Sequence, residues 1–213
     1  MKGIFCIFKK KPSLVFSQTD VSNNTMTLQD IHTILNPDEL VIFNSILTKR
    51  ELKSGEFLIK ENTIANKLFF IERGACRSYF IKDGEDITDF FFFDGGFASD
   101  FASFYADKPS LLNLCCIEDT TVLEFKKIDL LNLYKHNIKF SEIGRLTAEY
   151  SFLVVEERMR LLHTESLEIK YNWMLKNFPM VFQRVPQYYI SSFLGVKPQS
   201  LSRIRAKISG KKY

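Results

Sequence analysis

The sequence predicts an α+β chain: an N-terminal antiparallel β jelly roll, a long connecting helix, and a C-terminal helical domain with a helix-turn-helix. Three observations predict it. Residues 52 to 125 run in short, alternating, aromatic-rich segments split by turn residues. From Ser141 to Leu161 the apolar residues change to helical spacing. From Ile169 to Tyr213 the chain holds nine basic residues and no acidic one, which leaves 20 basic and 25 acidic residues, a net charge of −5, for residues 1 to 168. A basic end on a mildly acidic body is the charge pattern of a polyanion binder.

In chain order, residues 1 to 26 form an extension to which the pattern assigns no fold, and Met26 is a second candidate start. In MKGIFCIFKKK, lysines stand where a cleavage site needs small residues, so no export signal is read. The roll domain is expected over residues 27 to 135. It opens with a short helix in NPDELVIFNSILTKREL, 36 to 52, with Asn36 as N-cap, Pro37 at the first helical position and Leu40, Phe43, Ile46 and Leu47 on one face. The strands are EFLIK, KLFFI, ACRSYFIK, DITDFFFF, LNLCCI and TVLEF, rich in the aromatic and β-branched residues that a pleated surface prefers. Their turns fall at Lys53–Glu56, Glu72–Gly74, Lys82–Glu85, Asp94–Gly96 and Glu118–Thr120. Short strands in series without helix-length spacers indicate a sandwich, jelly roll or barrel. One helical turn is expected within DFASFYADKPS, 100 to 110, and alternate phenylalanines of Phe90 to Phe93 are expected inside the roll.

The connecting helix is expected over residues 136 to 163, capped by Ser141. Its stripe of Ile143, Leu146, Tyr150, Leu153 or Val154, and Leu161 suits either a core-packed helix or a dimer seam. A further helix at about 165 to 177 stops before Pro179 and opens the last domain, 164 to 213.

That domain carries VPQYYISSFLGVKPQSLSRIR. A DNA-reading helix-turn-helix needs apolar and small residues where its two helices touch, a turn residue that tolerates left-handed backbone, and three apolar anchors under the second helix. Counting from Gln187, these are Ile190 and Ser191, Leu194 and Gly195, then Val196, Leu201 and Ile204; Pro198 suits the first turn of the second helix. With Leu201, Ile204 and Ile208 holding that helix down, Gln199, Ser200, Ser202, Arg203, Arg205 and Lys207 face outward. Gln199, Ser200 and Arg203 are candidates for base edges, and Tyr188, Lys197, Arg205 and Lys207 for phosphates. Lys197 stands where Ser, Thr or Asp would cap the helix better.

A roll, a long helix and this C-terminal motif together resemble the Crp/Fnr family of bacterial transcription regulators over roughly residues 36 to 210, and YYISSFLGVKPQSLSRIR is similar to the form found in Bacteroidetes members. The resemblance implies a cytoplasmic homodimer with the long helix as its seam, reading a palindromic site in double-stranded DNA. Arg203 then matches the family's base-contacting arginine and Gln199 a position often held by glutamate. It leaves an unknown small-molecule effector and RNA polymerase open as further partners. The family's wing is not evident, because FPMVFQRVP is too short for a hairpin. Family members that bind cyclic AMP carry a Gly-Glu pair and, about ten residues on, an Arg-Ser or Arg-Thr whose guanidinium pairs with the phosphate. Here Ser99-Asp100 and Ser110-Leu111 occupy those positions, and no arginine falls between Arg77 and Arg145. Lys108 offers a point charge without a bidentate fork. The roll is therefore expected not to bind cyclic AMP.

The remaining chemistry is sparse. Four cysteines (Cys6, Cys76, Cys115, Cys116) show no CxxC, and the three histidines lie far apart, so no metal, cofactor or disulfide framework is predicted and a reducing cytoplasm fits. Cys115 and Cys116 point to opposite faces of a strand and do not bridge each other. A cupin-type enzyme would need clustered histidines, so the chain is read as no enzyme. No apolar run approaches the roughly 18 residues of a membrane span. The alternative to a specific regulator is an effector-binding or interaction protein with a non-specific basic tail.

Overall fold

The computed structural model describes residues 28–164, 166–208 and 210. The expected N-terminal extension, with Cys6, lies outside the described residues. Among the described residues two helices come first, α1 (Leu28–Ile34) and α2 (Pro37–Ser45). Asn36 caps α2 in a reciprocal box: its Oδ1 accepts from Glu39 N at 2.9 Å, and Glu39 Oε2 accepts from Asn36 N at 2.8 Å. The helix ends at Ser45. Leu47–Leu52, expected as its continuation, is strand β1, paired antiparallel with the last strand of the roll. Tertiary pairing overrides the local pattern there: Leu52 enters the core, and Arg50 bonds Glu124 across the pair at 3.0 Å.

The other strands are β2 (Phe57–Ile59), β3 (Lys67–Arg73), β4 (Ala75–Lys82), β5 (Glu85–Phe93), β6 (Phe97–Ala98), β7 (Asn113–Cys116) and β8 (Thr120–Lys126), with α3 (Phe101–Ala106) between β6 and β7. They form two four-stranded antiparallel sheets in the orders β1-β8-β3-β6 and β2-β7-β4-β5. Gly74 makes the turn between β3 and β4 at φ 121°, and a Cβ there would lie 2.5 Å from Thr120 Oγ1, so no other residue fits without a shift. Between the sheets sit Phe69, Ile71, Leu114, Val122 and Phe125; Ile31 and Phe43 from the leading helices, and Leu35 between them, join the same cluster.

After the roll come α4 (Lys127–His136), α5 (Ile138–Thr164), α6 (Leu167–Asn177), α7 (Val181–Arg184), α8 (Gln187–Phe193) and α9 (Pro198–Ile208). The long helix begins at Ile138 rather than at Ser141. Asn137 Oδ1 accepts from Lys139 N at 2.9 Å, while Ser141 Oγ donates back to Tyr134 O at 2.7 Å. Ser166 caps α6 as its position suggests, accepting from Ile169 N at 3.4 Å. Glu39 ties the roll's entry to the start of α5, accepting from Lys139 Nζ at 2.8 Å and Asn137 Nδ2 at 3.1 Å. The Lys139 bond, with the capping bond from Asn36, holds its carboxyl down at about 2.

A second core gathers Tyr171, Met174, Val181, Val185, Ile190, Phe193, Leu194 and Leu201 around Phe91 of β5. The four phenylalanines therefore divide. Phe92 packs on the roll's core, as alternation predicts, but Phe90, Phe91 and Phe93 pack against the C-terminal helices. A bulge between Ser78 and Tyr79, which pair with Phe90 and Thr88, leaves Asp89 unpaired, while Phe90 to Phe93 keep regular register with Ser78 to Ala75.

Candidate nucleic-acid interface

α8 and α9 form the helix-turn-helix. Leu194 N donates to Ile190 O at 3.1 Å, Gly195 N to Ser192 O at 3.0 Å and Val196 N to Ser191 O at 3.0 Å. Gly195 takes φ 67°, the left-handed turn that the sequence requires there. Ile190, Ser191 and Leu194 are buried, and Leu201 is wholly buried beneath α9, with Val196 and Ile204 packed at the margin; Ile208, expected as a third anchor, is exposed in the last turn of the helix. Burial of that face leaves the opposite face of α9 in solvent.

Gln199, Arg203, Arg205, Lys207 and Lys197 are exposed, and Ser200 is half-buried. Ser202 is the exception to the expected outward set. Its Oγ donates to Pro198 O at 3.1 Å and accepts from Gln187 Nε2 at 2.8 Å, so it joins α9 to α8. Lys207 Nζ lies 2.6 Å from Glu168 Oε2 in an exposed ion pair that solvent screens. Tyr188 is exposed and its ring lies 3.9 Å from that of Tyr189. Between α6 and α8 the described residues hold the short α7 and no hairpin, in keeping with the missing wing.

On the roll, Ser99, Asp100 and Ser110 come together, but they bond within the fold. Asp100 is buried; its Oδ1 accepts from Ser103 N at 3.1 Å, capping α3, and its Oδ2 accepts from Ser110 Oγ at 2.7 Å. Ser99 Oγ donates to Lys67 O at 2.9 Å. Leu111 is exposed. A cavity of about 330 Å³ opens beside this group, lined by Phe57–Lys60, Thr63–Lys67 and Phe69; Ser99 and Ser110 bond to its lining at Lys67 O and Thr63 O, but none of the four expected residues lines it. Cys115 and Cys116 take opposite faces as expected. What the sequence did not reveal is that Cys116 faces Cys76 across the β4–β7 pair, with sulfurs 3.8 Å apart.

The long helix carries its solvent-facing apolar stripe on a different face from the expected one. Ile143, Val154 and Leu161 are buried within the chain, so they are closed to a second copy; Leu146 is half-buried, Leu153 is exposed, and the side chain of Tyr150 lies outside the description. Exposed instead are Ala148, Phe152, Val155 and Met159, spaced four, three and four apart, as a coiled-coil seam requires.

Sequence reasoning also missed the residues that dock the C-terminal domain on the roll: Arg77, Asp86, Thr88 and Asp89 from the roll, Arg158 from α5, and Arg184, Tyr189 and Ser192 beyond it. The run of four phenylalanines was their one visible signal. Arg184 bridges Glu118 and Asp94 and lies 5.5 Å from the centre of the Phe93 ring; those carboxylates, Glu118 first, push its guanidinium further up.

The comparisons agree with this architecture. Residues 49–137 match the cyclic nucleotide-binding domain family. Among solved structures the chain is similar to FixK2 from Bradyrhizobium japonicum, at 19% identity over 78% of this chain and 85% of that one, with a TM-score of 0.65. It is similar to CLP, described as a c-di-GMP responsive global regulator of Xanthomonas campestris, at 12% identity over 82% and 92% with a TM-score of 0.63. It also resembles a chain described as a transcriptional regulator of the Crp/Fnr family from Eubacterium rectale, at 17% identity over 84% and 87% with a TM-score of 0.62. No curated protein matches the sequence. The chain thus contains a cyclic nucleotide-binding-type roll and has the fold of Crp/Fnr regulators, with the roll at its N-terminal end and helices at its C-terminal end.

Proposed function

We propose that this chain is a sequence-specific, DNA-binding transcription regulator of the Crp/Fnr type, acting in the cytoplasm as a homodimer. The observation that carries the reading is α9 itself: its inner face is closed over by Leu201, while Gln199 and Arg203 stand exposed among Lys197, Arg205 and Lys207. Arginine pairs bidentately with guanine and glutamine with adenine in the major groove, and the flanking cations suit phosphates.

Two copies joined along Phe152, Val155 and Met159 would present two such helices to successive major grooves, about 34 Å apart, and so select an inverted repeat. The roll is the sensor position of this architecture. Asp100 and Ser110 satisfy each other there and the chain holds no arginine between Arg77 and Arg145, which argues against a cyclic nucleotide phosphate. An effector, where one acts, works through unequal affinity for two arrangements of the dimer. Contact with RNA polymerase follows from the same reading.

Fluorescence anisotropy of duplex sites with the full chain and with Arg203→Ala tests the assignment. The variant is expected to lose about 1–3 kcal/mol on the preferred site and to relax one base position. Equal weakening on every duplex, falling steeply with salt, would instead mark a non-specific basic tail on an interaction protein.

A further inference from the structure

The reading head is docked on the roll through a charged side chain that no DNA contact needs. Arg77 on β4 is 3% exposed. Its guanidinium pairs through both terminal nitrogens with Asp86, the NH1 bond at 2.5 Å, and donates to Thr88 Oγ1 at 3.0 Å. The tyrosine rings of Tyr79 and Tyr189 lie 4.1 and 3.5 Å from its carbon. Tyr79 belongs to the same strand, whereas Tyr189 belongs to α8, the first helix of the helix-turn-helix. The roll thus holds the cation by its own carboxylate and presents it to a tyrosine of the head.

α8 is gripped at two further residues. Ser192 Oγ accepts from Thr88 N at 2.9 Å and donates to Asp86 O at 3.2 Å, closing polar groups of β5, the edge strand of its sheet. Phe193 packs on Phe91 at 5.4 Å between centroids and under Arg158 at 4.9 Å, while Arg158 NH1 reaches Asp89 at 3.2 Å. α8 in turn fixes α9 through the turn and the Gln187–Ser202 bond. In sequence only residues 165 and 166 separate α5 from α6. These contacts, rather than the short link, set the direction in which α9 faces.

We infer that Arg77 is a positioning residue for DNA reading: by clamping Tyr189 it fixes the angle and separation of the two reading heads, and so the half-site spacing that the dimer accepts. The inference rests on the regulator reading above. Arg77 touches no DNA, so its loss should leave the affinity of one head for one half-site unchanged and should erase the discrimination between spacings.

The test uses two variants of the full chain. Arg77→Ala removes the cation; Tyr189→Leu leaves the Arg77–Asp86 pair intact, so that the roll keeps its own interactions if the first variant folds poorly. Two quantities are read. Amide hydrogen exchange at Thr88, whose N–H donates to Ser192, reports head docking without DNA. Affinities for a preferred inverted repeat, for the same half-sites separated by two more base pairs, and for an isolated half-site report positioning. In both variants Thr88 exchange is expected to speed up, and the preference for the native spacing to fall roughly tenfold or more, with half-site affinity within about twofold of the parent. Unchanged Thr88 exchange overturns the clamp. Faster exchange with the spacing preference intact, or equal weakening on all three duplexes, overturns the positioning role. If the parent chain prefers no sequence at all, the regulator reading has failed, while Thr88 exchange still decides the clamp.

Discussion

Replacing Phe152 with glutamate should dissociate the proposed homodimer without unfolding the chain. Phe152 is 68% exposed in the single chain, with Val155 and Met159, 46% and 54% exposed, one and two turns further along the same face. Full burial of a phenylalanine is worth about 1.5–3 kcal/mol, so covering its exposed two-thirds gives about 1–2 kcal/mol per copy. In a parallel two-fold seam each residue meets its own counterpart, which doubles the loss to about 2–4 kcal/mol, roughly 30- to 900-fold in dissociation constant. Two facing carboxylates add repulsion to that. The assay is sedimentation equilibrium, with thermal unfolding as the control. Leu161→Ala provides the contrast: Leu161 is buried within its own chain, so the variant should lose about 2–5 kcal/mol of stability and keep its dimer constant. A Phe152→Glu chain that dimerises as tightly as the parent, or a Leu161→Ala chain that falls apart into folded monomers, would refute the seam.

Other expectations are more local. Leu201→Ala opens a cavity under α9 and should cost about 2–5 kcal/mol in the C-terminal core, seen as a lower unfolding midpoint with DNA binding lost in step. The carboxyl of Glu39 is held at about 2 in the folded chain against an ordinary 4.5, so its contribution is fully present above pH 4.5 and disappears as pH falls towards 2; Glu39→Gln should flatten that part of the stability profile, and an unaltered profile would contradict the Lys139 and Asn36 contacts. Titration calorimetry with cyclic AMP should give no saturable heat, because Asp100 and Ser110 are bonded to each other; stoichiometric binding would overturn that account of the roll.

The helix-turn-helix was legible because its requirements are local: seven residues at fixed spacing, all within fifteen positions of one another, and the structure sets each of them where the spacing predicts. Ser202 departed from its outward reading because it can bond back to Pro198 and across to Gln187, a choice that residue type alone does not settle. The roll was legible from alternation and turns, but β1 was not. Leu47–Leu52 follows a helix directly, and only its pairing with β8, more than sixty residues on, shows it to be a strand. The stripe expected from the sequence and the stripe left exposed differ because α5 carries apolar residues on two faces. Ile143, Val154 and Leu161 serve the interior and Phe152, Val155 and Met159 face out, and the sequence pattern does not say which face meets its own chain. For the same reason Cys76 and Cys116, forty residues apart, and Arg77 and Tyr189 came together only in the fold.

Selection from random duplex DNA by the purified full chain at about physiological salt, followed by sequencing of the retained pool, tests the central claim most directly. An inverted repeat with half-sites about one helical turn apart is the predicted result, since it requires a dimer and two reading helices at once. Retention without any enriched sequence, lost steeply as salt rises, would contradict it and leave the basic end of the chain as a non-specific polyanion surface.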